Sequence, residues 1–486
     1  MICLALVTSM SAQSSMYDLV LKGGTVMDPE TDFAAVRNVG IIGNQIAEIS
    51  KEDLKGKQVI DVSGLIVAPG FIDLHVHGMT NQAHVYQVRD GVTTALELEG
   101  GIPFIRDWIR EKSGNSIVNF GATVPHGTLR AMAMPEYQHY FAEAKKLIKE
   151  EGMESPSLTK LMINMMRSGY NPVPEEGIER MRELMALELQ DGALGIGVPV
   201  GYYPGATHGE IYRVYEFAAE KQAPVFSHTR GFGMPGIQEA IANATASGAP
   251  LHIVHANSLS LGEIQTTLDM VRSAQDQGLD VTTEVYPYTA ASTSLESAIF
   301  DEGWQEKLGI SYGDIQWEAT GERLTETTFN EYRKKGGVVI IHMMKPEWIV
   351  KGIMDDRTMI GSDGMPYAPG AHPRTAGTFS RVLGRYVREQ KVVSLMDALK
   401  KMTIMPANRL EDIAPMMRQK GRLQVGTDAD ITIFNPKTII DKADFKGLKF
   451  SEGVAYVLIN GVLVVKDGEN VENVFPGKAI IGRYRK

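Results

Sequence analysis

The sequence predicts an α/β fold: a (β/α)8 barrel with antiparallel β structure at both chain ends. Three observations carry this. Eight short apolar runs, at 71–77, 92–99, 117–124, 193–199, 224–228, 251–255, 281–288 and 358–363, alternate with helical stretches such as 178–190, 211–221 and 261–277. Both chain ends have a different texture, with alternating apolar residues broken by the turn pairs Gly23-Gly24, Asp28-Pro29, Gly43-Asn44 and Asn460-Gly461. No G-x-G-x-x-G fingerprint follows the first strand candidate at 71–77, which disfavours a doubly wound open sheet. The chain is 486 residues long, with 43% hydrophobic and 22% charged residues, enough to bury a large core.

Taken in order, residues 2–12 (ICLALVTSMSA) are apolar or small, and the first charge is Asp18. This start reads as a secretory remnant lacking its positive n-region, as a lipidated Cys3, or as a frayed segment with Met16 as an equivalent beginning. The protein is therefore expected in the cytoplasm, or in the periplasm or outside the cell if residues 1–12 are a signal remnant. Residues 1–16 are set aside as a leader. Residues 17–67 and 424–486, which include DADITIFN and VAYVLINGVLVVKD, form the composite β-domain, and 68–423 form the barrel. The run VVIIH at 338–342 falls inside an insertion at about 295–350, placed as a lid over the barrel mouth.

Chemistry concentrates at strand ends. Ala68-Pro69-Gly70 leads into Phe71-Ile72-Asp73-Leu74-His75-Val76-His77. At the two-residue period of a strand, Asp73, His75 and His77 share the inward face, while Ile72, Leu74 and Val76 face the helices. Three more strands end with related groups: His228 in PVFSH, His255 in LHIVH and Asp363 in MIGSD. Barrel enzymes keep their reactive groups at this end. Four imidazoles and a carboxylate buried separately would each need a partner of their own, and a shared metal ion satisfies all of them. The single cysteine, Cys3, excludes an internal disulfide framework, a cysteine zinc ribbon and an iron–sulfur cluster, so His and carboxylate must hold the metal.

Together APGFIDLHVH, SHTR, the His255 strand, VYPYT and IGSDG resemble the metal-dependent amidohydrolase superfamily. VTTEVYPYTA, MIGSDG and HPRTAGTFSRVLGRYVRE resemble its D-aminoacylase (N-acyl-D-amino-acid deacylase) branch, over about residues 17–482. The resemblance implies a distorted (β/α)8 TIM barrel with a small β-sandwich domain composed of both chain ends, and one or two divalent ions, with zinc favoured. His75, His77 and Asp363 would hold one ion, and His228 and His255 would reach the second. The carboxylated lysine frequent on the superfamily's fourth strand has no counterpart in ALGIGV. The cysteine that D-aminoacylases carry after the second strand is replaced by Gly100-Gly101. The second strand offers Glu97 and Glu99 instead, and Glu99, nearer the rim, is preferred as bridging ligand. A water held by the metal is acidified towards ~7, and Asp363 would take its proton and later deliver it to the leaving nitrogen.

For substrate binding, Tyr286 and Tyr288 flank Pro287 and serve either as pocket phenols or as packing. Arg374, in His372-Pro373-Arg374, suits a bidentate grip on a carboxylate or a structural tie. The family's lysine after the sixth-strand histidine is replaced here, since the chain reads His255-Ala256-Asn257-Ser258, leaving Asn257 at the substrate-binding position. His126, in Val124-Pro125-His126-Gly127, resembles the family's Gly-His-Gly turn and would orient substrate. His84, His139 and His208 read as surface or locally bonded, His252 as facing the helices, and His342 as part of the lid. Runs such as Met162–Met166 read as core filler.

The expected function is hydrolysis of an exocyclic amide of a small molecule, foremost an N-acyl-(D-)amino acid. The alternatives are a cyclic-amide hydrolase of dihydroorotase or hydantoinase type, and an inactive amidohydrolase-like binding protein. No G-x-S-x-G elbow supports a serine hydrolase. A net charge of −10 with no basic stripe argues against nucleic acid as a partner. No apolar run approaches membrane-spanning length. A monomer or a homo-oligomer is compatible with the composition.

Overall fold

The computed structural model describes residues 16–485. The leader expected over 1–16 lies, except for Met16, outside the described residues. Eight strands build the barrel: Phe71–Asp73, Val92–Glu97, Asn119–Ala122 continuing as Val124–Pro125, Ile196–Pro199, Val225–His228, Leu251–Ile253, Val281–Val285 and Thr358–Ile360. All ladders between them are parallel. The distortion has two sources. The third strand breaks at Thr123, so its first half pairs with the second strand and its second half with the fourth. The eighth and first strands share no regular ladder and close through Asp363 N–H to His75 C=O and His77 N–H to Gly364 C=O, both 2.7 Å. Closure therefore happens at the rim that carries His75, His77 and Asp363.

Helices cover the barrel with ordinary start and stop signals. Thr207 caps helix His208–Lys221 through its side chain on the Glu210 N–H, and Gly248, at φ +79°, ends helix Met234–Ser247. The stretch expected as an insertion holds a small antiparallel sheet of Ala291–Ser294, Ile315–Trp317 and Val338–Ile341. Its end differs from expectation: helix Pro346–Met354 packs on helix Ile264–Asp276 and on the seventh strand, the normal place of the helix between strands seven and eight.

The chain ends form one nine-stranded sheet in which Ile66–Pro69 joins the N-terminal strand Tyr17–Asp28 to the C-terminal strand Ile431–Phe434. The expected sandwich arises by curling of this single sheet. Ile46 near one end of the strand order and Leu458 near the other share one buried core, and a Gln45–Asp428 bridge closes the curl.

The inward face of the barrel corrects the strand-parity reading. Ile72 and Leu74 belong to a buried cluster with Leu96, Leu98, Phe226, Val254 and Met359. Residues of the first and fifth strands lie on opposite sides of a barrel, so such a cluster can form only across its interior. The regular first strand stops at Asp73, and the irregular chain beyond it brings His75 and His77 over this apolar plug. Asp73 is instead buried at the closure, where its Oδ1 accepts from the backbone of His75 and Ser362, and burial pushes its carboxyl up to about 7.

Candidate metal centre

Six of the residues singled out from sequence converge. His75, His77, Glu99 and Asp363 form one group and Glu99, His228 and His255 a second, each with its donor atoms within 4.8 Å of one another. Glu99 is common to both. Its Oε2 lies 3.1 Å from His75 Nε2 and 3.2 Å from His77 Nε2, and its Oε1 lies 2.7 Å from His228 Nδ1 and 3.3 Å from His255 Nε2. Each oxygen thus serves one histidine pair. Asp363 Oδ1 stands 3.5 and 3.3 Å from the Nε2 atoms of His75 and His77.

Local backbone explains how strand ends deliver these groups. The sixth strand stops at Ile253, and His255 takes φ +30°, which releases it from strand parity; Asp363 takes φ +51°. Non-glycine residues in the left-handed region are costly and are held by their surroundings. Glu97 follows a separate course: its Oε2 is 2.7 Å from His77 Nδ1, and its Oε1 accepts from the Gly100 N–H. Glu97 therefore orients His77 from behind, while Glu99 occupies the centre.

His75 has a matching support that the sequence reading missed. Glu284 Oε1 lies 2.5 Å from His75 Nδ1, and its Oε2 lies 3.3 Å from His252 Nε2, whose Nδ1 is 2.8 Å from Thr282 Oγ1. His252 consequently faces the barrel interior, not the helices: it pairs in register with Phe226 and Thr282, and its ring stands 5.3 Å from Phe226. A Cβ at position 361 would come within 2.4 Å of Glu284 Oε2, so Gly361 makes room for this carboxylate. The clue available in the sequence was period two along VTTEV, which puts Thr282 and Glu284 on one face.

Four buried carboxylates, Glu97, Glu99, Glu284 and Asp363, surround the imidazoles, and among the described residues Arg374 is the fixed cation that meets one of them, Asp363. Burial disfavours charge on His75, but Asp363, Glu284 and Glu99 outweigh it and hold the imidazole well above its ordinary value. His77 behaves likewise under Glu97 and Asp363. Burial would raise Glu99, yet His75, His228 and His255 keep it well below the usual range. Burial lowers His228. His75 and His77, whose far nitrogens are fixed by Glu284 and Glu97 and whose near nitrogens meet one oxygen of Glu99, fit a divalent ion of zinc type together with His228 and His255 on the other oxygen, and such an ion also offsets the excess of buried negative charge.

The residues expected to bind substrate separate. Arg374 is 1% exposed; its Nη1 lies 2.8 Å from Asp363 Oδ2, Nη2 donates to Ser292 C=O, and the guanidinium stacks 4.8 Å from the Tyr286 ring. The carboxylate it holds here is thus Asp363. Tyr286 Oη, Ser292 Oγ and Arg374 Nε are buried without hydrogen-bond partners. Asn257 departs from expectation: it is fully buried, and its amide closes on the backbone of Tyr286 in both directions, so it braces two loops. His126 also departs, because its Nε2 is taken by Glu210, which Arg130 grips as well. Tyr288 packs through its ring against Arg381 and reaches Asp441. His84 is buried beside Asn81, His208 pairs with Glu239 at the surface, and His342 bonds Gln316 within the added sheet. Tyr202, which the sequence reading passed over, lies with its ring 4.9 Å from His228 and its Oη 3.0 Å from Thr293 Oγ1.

The model of the amidohydrolase family (Amidohydro_3) matches residues 58–465. The chain belongs to the amidohydrolase family. This amidohydrolase is similar to a D-aminoacylase of Alcaligenes xylosoxydans xylosoxydans, 28% identical over 93% of this chain and 95% of the relative. An N-acyl-D-glutamate deacylase of the same organism is 29% identical over 92% and 93%. Among solved structures, an N-acyl-D-glutamate deacylase from Bordetella bronchiseptica, complexed with zinc and a phosphonate mimic of the tetrahedral intermediate, superposes with a TM-score of 0.79. It is 24% identical and covers 96% of this chain and 100% of its own. A D-hydantoinase superposes less closely, at a TM-score of 0.61 and 17% identity, covering 96% of this chain and 100% of its own. The barrel with its added sheet domain is the fold these structures share with this amidohydrolase.

Proposed function

We propose that this amidohydrolase is a metal-dependent deacylase that hydrolyses the exocyclic amide of N-acyl-D-amino acids. The observation that carries the reading is the division of the Glu99 carboxylate between two histidine pairs, the donor set of a two-ion centre bridged by one carboxylate. His75, His77 and Asp363 would hold one ion, and His228 and His255 the other. The names of the relatives, D-aminoacylase, N-acyl-D-glutamate deacylase and N-acyl-D-aspartate deacylase, support the substrate class. Bound metal of this kind supplies an acidified water and polarises a carbonyl.

The chain's own residues supply the rest. Burial raises the Asp363 carboxyl, but Arg374 and His75 outweigh it and keep it ionised at neutral pH. Asp363 is thereby ready to accept the attacking water's proton through Oδ1 and to pass it to the departing amine. Tyr286 Oη, Ser292 Oγ and Arg374 Nε are buried donors without partners, on three residues that meet at the Arg374 guanidinium, whose Nη1 holds Asp363. They suit the substrate's α-carboxylate, and in this role they make up for the missing lysine at Asn257. The experiment is amine release by the zinc-loaded protein from paired N-acetyl D- and L-amino acids, with dihydroorotate and hydantoins alongside. Turnover of D-amides with L-amides at least tenfold slower is expected; turnover only of the cyclic amides would overturn the reading.

A further inference from the structure

Strands Ile431–Phe434 and Val454–Ile459 of the end-domain sheet are antiparallel partners, yet the chain joining them, residues 435–453, is far longer than the roughly two to five residues a hairpin needs. Part of it lies against the barrel rim. Asp441, with its side chain 6% exposed, has Oδ2 2.8 Å from Arg381 Nη1 and accepts from Tyr288 Oη at 3.3 Å. Arg381 ends helix Arg374–Arg381, and Tyr288 lies in the loop after the seventh strand. From this knot two further contacts run inward: Arg381 Nε donates to Pro287 C=O at 2.8 Å, and Tyr288 Oη stands 3.4 Å from Pro373 C=O. Pro287 follows Tyr286, and Pro373 precedes Arg374. The fixed φ of a proline leaves the chain around a held carbonyl little freedom. Gly377, one turn into the helix, permits the close approach, since a Cβ there would meet Asp441 Cβ at 2.6 Å. The same connection also backs His372, whose Nδ1 accepts the Arg374 N–H at 3.1 Å, with the Phe445 ring 5.3 Å away and edge-on. A tie between two domains could end on any barrel helix; this one ends on the residues next to Tyr286 and Arg374.

We propose that Asp441 is a positioning residue of the substrate site: through Arg381 and Tyr288 it sets the two loops that present Tyr286 and Arg374, so the end domain takes part in substrate binding. The proposal rests on the deacylase reading above, in which Tyr286 Oη, Ser292 Oγ and Arg374 Nε receive the α-carboxylate. Asp441 acts through its partners and needs no contact with substrate. Without its charge, Arg381 loses the carboxylate that holds its guanidinium against Pro287, and the donors on Tyr286 and Arg374 lose their common alignment.

The test uses the zinc-loaded full chain with N-acetyl-D-leucine and two mild variants, Asp441→Asn and Tyr288→Phe. Asp441→Asn should lower kcat/KM about tenfold or more, as small misplacements remote from the chemistry do, chiefly through KM and with zinc content unchanged. Tyr288→Phe should raise KM in the same direction, and the double variant should be no worse than Asp441→Asn alone, because both changes open one clamp. The helix-cap variant Thr207→Ala, which loosens the fold elsewhere, should leave KM unaltered. Unchanged KM in both single variants, a loss confined to kcat, or effects that multiply in the double variant would overturn the assignment; if Asp441→Asn does not fold, the KM of Tyr288→Phe alone decides. If the wild type turns over no N-acyl-D-amino acid, the deacylase reading fails separately, and crystal structures of the zinc-loaded wild type and Tyr288→Phe decide the positioning. Arg374 displaced from Asp363 in the variant supports it, and an Arg374–Asp363 contact kept at 2.8 Å with Pro287 and Pro373 unmoved overturns it.

Discussion

Replacing Glu99 by Gln separates a bridging carboxylate from an incidental buried acid. The side chain keeps its volume, but one oxygen becomes an amide NH2 and the charge facing His75, His77, His228 and His255 at 3.1, 3.2, 2.7 and 3.3 Å is lost. Removing one partner from a buried charged set typically costs about 3–5 kcal/mol, which corresponds to a loss of metal affinity of roughly a hundredfold to a few thousandfold. The companion change Glu99→Asp keeps the charge but withdraws it by one carbon, about 1.5 Å, too far to serve both histidine pairs. Elemental analysis and chelator competition on the two variants give the readout. Glu99→Gln should lose the second ion and bind the first weakly, and Glu99→Asp should retain one. If Glu99→Gln holds the same number of ions with unchanged affinity, the bridging assignment is wrong.

Other outcomes follow from the same geometry. Asp363→Asn should cut kcat by about two to four decades, as expected for loss of a general acid–base, with folding unaltered by circular dichroism; a variant with most of its turnover intact would remove Asp363 from proton transfer. Glu284→Gln removes the negative charge that faces His75 Nδ1 at 2.5 Å and should weaken metal binding about 10–100-fold, read by chelator competition, while saturating zinc restores most of kcat. Burial would raise the Glu210 carboxyl, but His126 and Arg130 hold it down to about 2 against an ordinary 4.5. A depressed folded-state pKa contributes stability that is complete above about 4.5 and lost as pH falls towards 2, here at most about 3 kcal/mol. Urea unfolding should therefore show the wild type losing more stability between pH 5 and 3 than Glu210→Gln, and parallel acid profiles would contradict this.

The convergence of these side chains was legible because strand-end histidines announce themselves by position: His75, His77, His228, His255 and Asp363 all close apolar runs, and Glu99 lies among them. What strand parity missed has a common cause. The first and sixth strands end before their histidines, at Asp73 and Ile253, so irregular backbone and a left-handed His255 deliver side chains that a period-two rule assigns elsewhere. The same rule misplaced His252 and left Ile72 and Leu74 outside a barrel whose interior they fill. Glu284 passed as part of a strand, because its role depends on meeting His75 across the barrel. The partners of Asn257 and Arg374, the Tyr286 backbone and Asp363, are set by tertiary closure.

Stepwise reconstitution of the metal-stripped protein with zinc, following amine release from N-acetyl-D-amino acids at each addition, bears most directly on the claim that Glu99 joins two histidine pairs into one hydrolytic centre. Activity absent without metal and saturating within two equivalents per chain is the predicted result. Full activity in the presence of excess chelator, or tight stoichiometric zinc with no amine released from any N-acyl-D-amino acid, would contradict it.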